Sequence, residues 1–304
     1  MNAQIPVTVS VLTYNSSKYV LETLESIKAQ TYKSLILHIS DDCSTDNTVR
    51  ICRKWIEDNK DRFVETKIII PDKNTGISGN LNRAIDACKT EWLKVIAGDD
   101  ILMPNCIEEY MSYVSANSEV VVAFSHLEAF GMGADTLNEL FDGSFFKLSP
   151  EEQYKSLIFE GNSAPAPASF FNVNRLRKLD IKADERIPML EDYPMWINLT
   201  KKGIKLQFID KVLVNYRVGA GGIASGGGRS LAFRKSLRLF YLYYQFPALL
   251  TVNPEKEICK VIDYELGCFQ EIQLLLNSPS YKLGTFLLSP IKWALTCLKC
   301  VIQR

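Results

Sequence analysis

The chain has 304 residues, of which 47% are hydrophobic and 23% charged, and 35 basic side chains balance 35 acidic ones. These proportions exclude a disordered tail protein, a collagen and a multi-span membrane protein. Net neutrality argues against a general nucleic-acid binder, which needs an excess of Lys and Arg against phosphate, and the length holds one large domain or about two ordinary ones.

In chain order, Val7–Thr13 reads as a strand, and Tyr19–Gln30 repeats Val20, Leu24 and Ile27 on one helical face. Leu35–Ser40 is a second strand and Thr45–Asn59 a helix. Lys67–Ile70 is a third strand stopped by Pro71, Ile77–Cys88 is helical, and Trp92–Ala97 is a fourth strand. This alternation predicts a mainly parallel sheet with helices on both faces, an α/β fold. A helix (107–116), a strand (120–127) and helices over 151–159 and 192–201 follow. Leu206–Ile209 and Val212–Arg217 read as a strand pair turned at Asp210-Lys211. Gly219–Gly228 contains six glycines in ten residues and reads as a mobile loop; the remainder is helical in pattern.

Charge is unevenly spread along these elements. Residues 1–228 carry 25 basic and 30 acidic side chains, whereas residues 229–304 carry 10 and 5. An acidic front and a basic tail are a clue about partners. Eight cysteines show no disulfide-framework spacing, and with only two histidines, His38 and His126, the lone Cys297-x-x-Cys300 lacks the second pair a zinc site needs. Free thiols are the plainer reading. No signal peptide is read at the N-terminus, and the most apolar stretch, 283–302, is broken by Pro290, Lys292 and Lys299, so the sequence reads as cytosolic.

On parallel sheets ligands bind beyond the carboxyl ends of the strands. The loops there are Tyr14-Asn15-Ser16-Ser17, Asp41-Asp42-Cys43-Ser44-Thr45-Asp46, Asp72-Lys73-Asn74-Thr75-Gly76 and Gly98-Asp99-Asp100. Neither G-x-G-x-x-G nor G-x-x-x-x-G-K-[ST] follows a strand, which argues against a dinucleotide dehydrogenase and a P-loop NTPase. A single Asp per loop is ordinary helix capping. Asp99-Asp100 differs, because two adjacent charges between the apolar runs Val95-Ile96-Ala97 and Ile101-Leu102-Met103 are costly unless a cation compensates. Mg2+ or Mn2+, held by one carboxylate and substrate phosphate oxygens, would do so.

Taken in order, Val9 to Asn15, Asp41 to Asp46, Asn74-Thr75-Gly76 with Asn82, Asp99-Asp100, and Glu191-Asp192-Tyr193 with Trp196 resemble the large inverting glycosyltransferase family, family 2, with the GT-A fold. The match runs from about residue 5 to 217. The resemblance implies that Thr13, Tyr14, Asn15, Asp42, Asn74, Gly76, Asn82 and Asp99 bind a nucleotide-sugar. Tyr14 would stack on the base, Asp42 would accept the base imide N–H, and Asp99 would meet the ribose. It implies Asp100 as ligand of Mn2+ or Mg2+ and Asp192 as catalytic base, with Glu191, Trp196 and Arg217 toward the acceptor or diphosphate. The catalytic domain would span 1–228, with a nucleotide-sugar part to about 104 and an acceptor part over 105–228. Residues 229–304 would form a helical extension. The family's His after Tyr-Arg is replaced here, Gly219 lying two residues beyond Arg217, so Arg217 or Arg229 could supply positive charge instead. Asn162 to Ser169 lies where the family lines its acceptor side, although a plain connector fits it equally.

In the tail, Ile291, Ala294, Leu295, Leu298, Val301 and Ile302 share one helical face opposite Lys292 and Lys299, and Phe233, Leu237, Phe240, Tyr241 and Tyr244 form another beside Arg234, Lys235 and Arg238. These faces suit either attachment to an anionic inner-leaflet surface or packing on the catalytic domain or a homodimer partner. The function implied is transfer of a hexose from a UDP-sugar to a lipid-linked saccharide in surface-polysaccharide assembly, on the cytoplasmic side of the inner membrane. Other readings are a dTDP-sugar (rhamnosyl-type) transferase, a nucleotidyltransferase, or a non-catalytic membrane-associated binding protein.

Overall fold

Four strands, β1 (Val7–Thr13), β2 (Leu35–Asp41), β3 (Glu65–Ile69) and β4 (Trp92–Ala97), pair in parallel in the order β3-β2-β1-β4 in the computed structural model, which describes residues 4–131, 134, 143–219 and 231–277. β1 is central, and its near-continuous burial follows from cover on both faces. Val7, Val9 and Val11 with Leu35, Leu37 and Ile39 share one core with Leu24 and Ile27 of α1 (Val20–Lys28), Cys52 and Trp55 of α2 (Thr48–Asn59), and Ile107 and Tyr110 of α4 (Cys106–Ala116). The alternate side chains face the other way, where Ser40 donates to Asn80 at 2.6 Å on α3 (Gly76–Ala87). Sheet with helices on both faces is therefore observed.

Four further strands complete an eight-stranded sheet of order β3-β2-β1-β4-β7-β6-β8-β5. They are β5 (Ile101–Leu102), β6 (Val122–Gly131), β7 (Ser169–Asn172) and β8 (Gln207–Val218). β7 is antiparallel to both β4 and β6 and joins the two halves. It was not expected from the sequence, because its four residues, which begin at the last residue of the stretch Asn162 to Ser169, are too few to show a strand's alternation. The predicted strand pair around Asp210-Lys211 is corrected to one strand. Both halves of β8 run parallel to β6, so the chain never reverses. Ser125 faces Ile209 and His126 faces Val212, and the two extra residues are taken up as a bulge.

On this half, α5 (Pro150–Phe159) starts from a Ser149/Glu152 capping box. After β7 come α6 (Val173–Lys178) and α7 (Tyr193–Lys201). Trp196 of α7 is only 1% exposed and packs on Phe124 at 4.9 Å and Phe171 at 6.0 Å. Trp92, Phe170 and Tyr110 stack in turn across the β4–β7 seam.

The chain divides into two compact units, Met1–Gln245 and Phe246–Arg304. The first runs past the Gly-rich segment: Phe240 of α8 (Leu231–Phe240) stacks on Tyr193 at 4.2 Å, and Tyr244 donates to Asp184 at 2.9 Å. In the second, α9 (Phe246–Leu250) precedes α10 (Pro254–Asn277), whose first turn is capped by the Asn253 side chain. Among the described residues no helix is long and apolar enough to cross a membrane. The Gly-rich segment beyond Gly219, Arg229, the amphipathic face from Ile291 and the Cys297/Cys300 pair lie outside the described residues.

Trp196 fills the space between α7 and two strands, so Trp196→Ala should cost about 3–5 kcal/mol of stability. A urea unfolding curve checks this, and a loss under about 1 kcal/mol would show that the site tolerates the cavity.

Candidate active site

The loops after β1 and β2 are stitched together before any ligand is considered. Thr13 donates its hydroxyl to Asp41 at 2.8 Å, and Asp41 also accepts the Ser44 N–H at 2.8 Å and hydroxyl at 2.6 Å. Asn15 adopts a left-handed backbone (φ 51°), which Asn tolerates better than most residues. Its side-chain oxygen accepts the Thr45 N–H at 2.9 Å and the Asp46 N–H at 3.3 Å. Asp46 in turn accepts N–H groups from Ser17 and Thr48. Burial alone would raise the Asp46 pKa, but these donors outweigh it and bring it to about 2. Thr13 and Asn15 therefore build the rim, and Tyr14, 51% exposed, offers a ring to solvent there.

Asp42 is buried and grips the start of α3. Its carboxylate accepts the Thr75 N–H at 3.0 Å, the Gly76 N–H at 2.8 Å and the Thr75 hydroxyl at 2.7 Å. Arg83 reaches the same carboxylate at 3.1 Å and also donates to Asn80. The sequence reading passed over Arg83. Its signal was there: seven residues after Gly76 it falls on the same helical face two turns on, and a cation there can reach back to the loop. Asn74 donates to the Asp42 carbonyl at 3.1 Å and accepts from Gly76. Gly76 has φ +77°, and a Cβ there would lie 2.8 Å from the Pro188 carbonyl oxygen. Asn82 turns the other way. Its amide donates to the Ala183 carbonyl and to Glu185, and its oxygen accepts the Ala183 N–H. It thus clasps the segment leading to Glu191.

Asp99 and Asp100 follow β4. Asp100 is fully buried; one carboxylate oxygen accepts the Arg217 N–H at 2.9 Å, and the other has no partner among the described residues. Burial and the neighbouring Asp99 charge push its pKa well above the ordinary carboxylate range. Burial also raises Asp99, opposed by the Arg217 charge. The Arg217 side chain donates to the Asp99 carbonyl at 2.8 Å and to Glu22 at 2.6 Å, between the rings of Tyr19 and Phe130. A buried, orphaned carboxylate oxygen beside a second carboxylate suits a hard divalent cation. Among the described residues no group of three or more His, Cys, Asp or Glu could hold a metal. The donor set fits an Mg2+ or Mn2+ that takes its remaining ligands from substrate phosphate and water.

Glu191 and Asp192 sit at the N-terminus of α7. Asp192 accepts the Tyr193 N–H at 2.7 Å and the Asn162 amide at 2.8 Å. Burial raises its pKa and these donors oppose the rise. Glu191, buried beside the Asp192 charge, is pushed up to about 8. Tyr216 on β8 links the two acidic groups: burial and then Asp100, Asp99, Glu191 and Asp192 carry its pKa to about 12. The residues thought to line the acceptor side divide accordingly. Glu191 lies beside Asp192 at the start of α7, Trp196 is core, and Arg217 braces the Asp99-Asp100 turn.

Residues 8–173, more than half the chain, match the family described as Glycosyl transferase family 2. The chain is 25% identical over 228 residues to the UDP-Glc:alpha-D-GlcNAc-diphosphoundecaprenol beta-1,3-glucosyltransferase WfaP of Escherichia coli, covering 74% of this chain and 82% of that one. Its fold is similar to that of S. aureus TarS 1-349 in complex with UDP-GlcNAc (TM-score 0.61, 19% identity, 78% of this chain and 66% of that one). It is also similar to the mannosyltransferase PcManGT from Pyrobaculum calidifontis in complex with GDP-Man and Mn2+ (TM-score 0.56, 18% identity, 95% and 85%).

Gly76→Ala should strain the turn and press on Pro188, costing about 1–3 kcal/mol. Differential scanning calorimetry should show a lower melting temperature, and an unchanged one would mean that the turn relaxes freely.

Proposed function

The chain belongs to glycosyl transferase family 2, and from that membership we propose that it transfers a hexose from a UDP-sugar, with inversion, to a hydroxyl of a lipid-linked saccharide. The observation that carries the reading is the buried Asp100, one carboxylate oxygen of which has no partner among the described residues, beside Asp99. It lies in the same region as Glu191 and Asp192, all four carboxylates being near enough to Tyr216 for their charges to raise its pKa. A cation-seeking pair and an ionisable base therefore share one site.

In this reading Asp42, held in place by Arg83 and the start of α3, accepts the imide N–H of uracil. Tyr14 stacks on the base and Asp99 meets the ribose. Asp100, one oxygen of which has no partner among the described residues, would hold Mn2+ or Mg2+, which when bound neutralises charge on the departing diphosphate. Asp192 accepts the proton of the attacking hydroxyl, a poor nucleophile until that proton is taken. The bond from the anomeric carbon to the acceptor oxygen forms as the bond to the diphosphate breaks and its electron pair leaves with the diphosphate. Attack opposite the leaving group inverts the centre. Asn82, in this reading, acts at one remove, by fixing the segment that delivers Glu191 and Asp192. A lipid-linked saccharide acceptor is supported by the name of the E. coli relative, and a surface-polysaccharide context by that relative together with the basic tail. The tail would dock the enzyme peripherally on the anionic cytoplasmic leaflet, each basic side chain near the surface adding roughly 1 kcal/mol.

Asp192→Asn should lower transfer by about 100-fold or more while UDP binding, followed by calorimetry, persists; retained turnover would place the base elsewhere. Because Asp192 must be ionised and burial raises its pKa above 3.8, kcat/KM in the wild type should fall on the acid side through a midpoint above that value. Flotation with anionic vesicles should carry the intact chain and leave behind a chain truncated before residue 283; equal behaviour of the two rejects the docking role.

A further inference from the structure

The stretch between α5 and β7 looks like a connector, yet it is held at several points. The Lys94 ammonium, wholly buried on β4, donates to the carbonyls of Pro167 and Ser169, and the Tyr110 hydroxyl donates to the carbonyl between them, that of Ala168. Upstream, the Trp196 indole N–H donates to the Ala164 carbonyl at 3.0 Å. Asn162 projects from this fixed backbone. Its side-chain oxygen accepts the Ala164 N–H at 3.0 Å, and its amide nitrogen donates to Asp192 at 2.8 Å.

That pair of contacts leaves the carboxamide one orientation. A flip would set its NH2 against the Ala164 N–H and its oxygen against the Asp192 carboxylate, losing both hydrogen bonds and opposing like partial charges. The other Asp192 oxygen accepts the Tyr193 N–H, so each oxygen carries one donor and keeps lone-pair capacity for a third group. We propose that Asn162 is a positioning residue for Asp192: its orientation-locked carboxamide aims an N–H at the carboxylate, fixes its rotation, and favours its ionised form. This rests on the reading of Asp192 as the base and adds residues 162–169 to the machinery as a brace. The other titratable groups facing Asp192 are Glu191 beside it, Tyr193 on α7, whose hydroxyl donates to the Leu157 carbonyl, and Tyr216 on β8. The Glu191 and tyrosine groups supply no compensating positive charge, so the neutral amide is the main side-chain donor that offsets burial, with a smaller contribution from the Trp196 indole.

The test is a direct titration of Asp192 in the full-length chain by 13C NMR with carboxyl-labelled aspartate, the Asp192→Asn chain identifying its resonance. Asn162→Asp retains an acceptor for the Ala164 N–H but removes the donor and adds like charge; Asn162→Ala removes the side chain. Loss of a donor to the charged form raises a carboxyl pKa, so the midpoint should move up by about one pH unit in Asn162→Ala and further in Asn162→Asp. A wild-type midpoint in either folded variant overturns the proposal, even if the melting temperature falls, since Asn162 would then be a structural tie only. The readout needs no donor sugar or turnover. It can fail while Asp192 remains the base, whereas transfer by Asp192→Asn would sink the base assignment and leave the titration standing.

Discussion

The Asp42 carboxylate, buried where β2 ends, is the interaction on which the site's architecture turns. It receives two backbone N–H groups and a hydroxyl from the first turn of α3, and the guanidinium of Arg83. A buried charge without such donors would cost several kcal/mol, so the sheet edge and the helix start are obliged to meet. Once they meet, Gly76 is forced against Pro188, Ser78 donates to the Ile187 carbonyl, and Asn82 clasps residues 183–185. The segment that ends at Glu191 and Asp192 is thereby tied to the loop that holds Asp42. The loop after β2 and the segment leading to α7 are connected by packed atoms.

A second constraint is electrostatic. Asp99, Asp100, Glu191 and Asp192 share one region, and burial raises the pKa of each. Different neighbours separate them: Asp100 keeps an oxygen with no partner among the described residues, Asp192 accepts N–H groups from Asn162 and Tyr193, and Glu191 has a charged neighbour. That inequality is what lets identical chemical groups take different duties. Arg217 is engaged with Glu22, the Asp99 carbonyl and two aromatic rings. Its contribution is to fix the turn.

How much of this was legible in the sequence differs residue by residue. The first four strands were read within about two residues, because β-branched runs between helical faces obey local rules of period. Asp99-Asp100 stood out because charge between apolar runs demands an explanation. β7 was missed because four residues paired on both sides carry no alternation to read. The bulge at Asp210-Lys211 passed for a turn because polar residues suit both, and only the parallel pairing of each half with β6 distinguishes them. Arg83 was overlooked because its partner lies 41 positions away, and Asn162, read only as the start of an acceptor-side or connecting stretch, could not be paired with Asp192 because that residue lies 30 positions on.

By itself, then, the sequence determined the alternating α/β architecture of the first hundred residues and the carboxylate-bearing loops at the sheet edge. Both depend on side-chain period and on the cost of placing charge beside apolar runs, which are local properties. Only the tertiary structure decided that Trp196 is core, that Asn82 and Arg217 act as braces, and that Asn162 aims at Asp192. Those roles depend on which groups meet across the sheet, and a hydrogen bond between distant positions leaves no periodic mark on either of them.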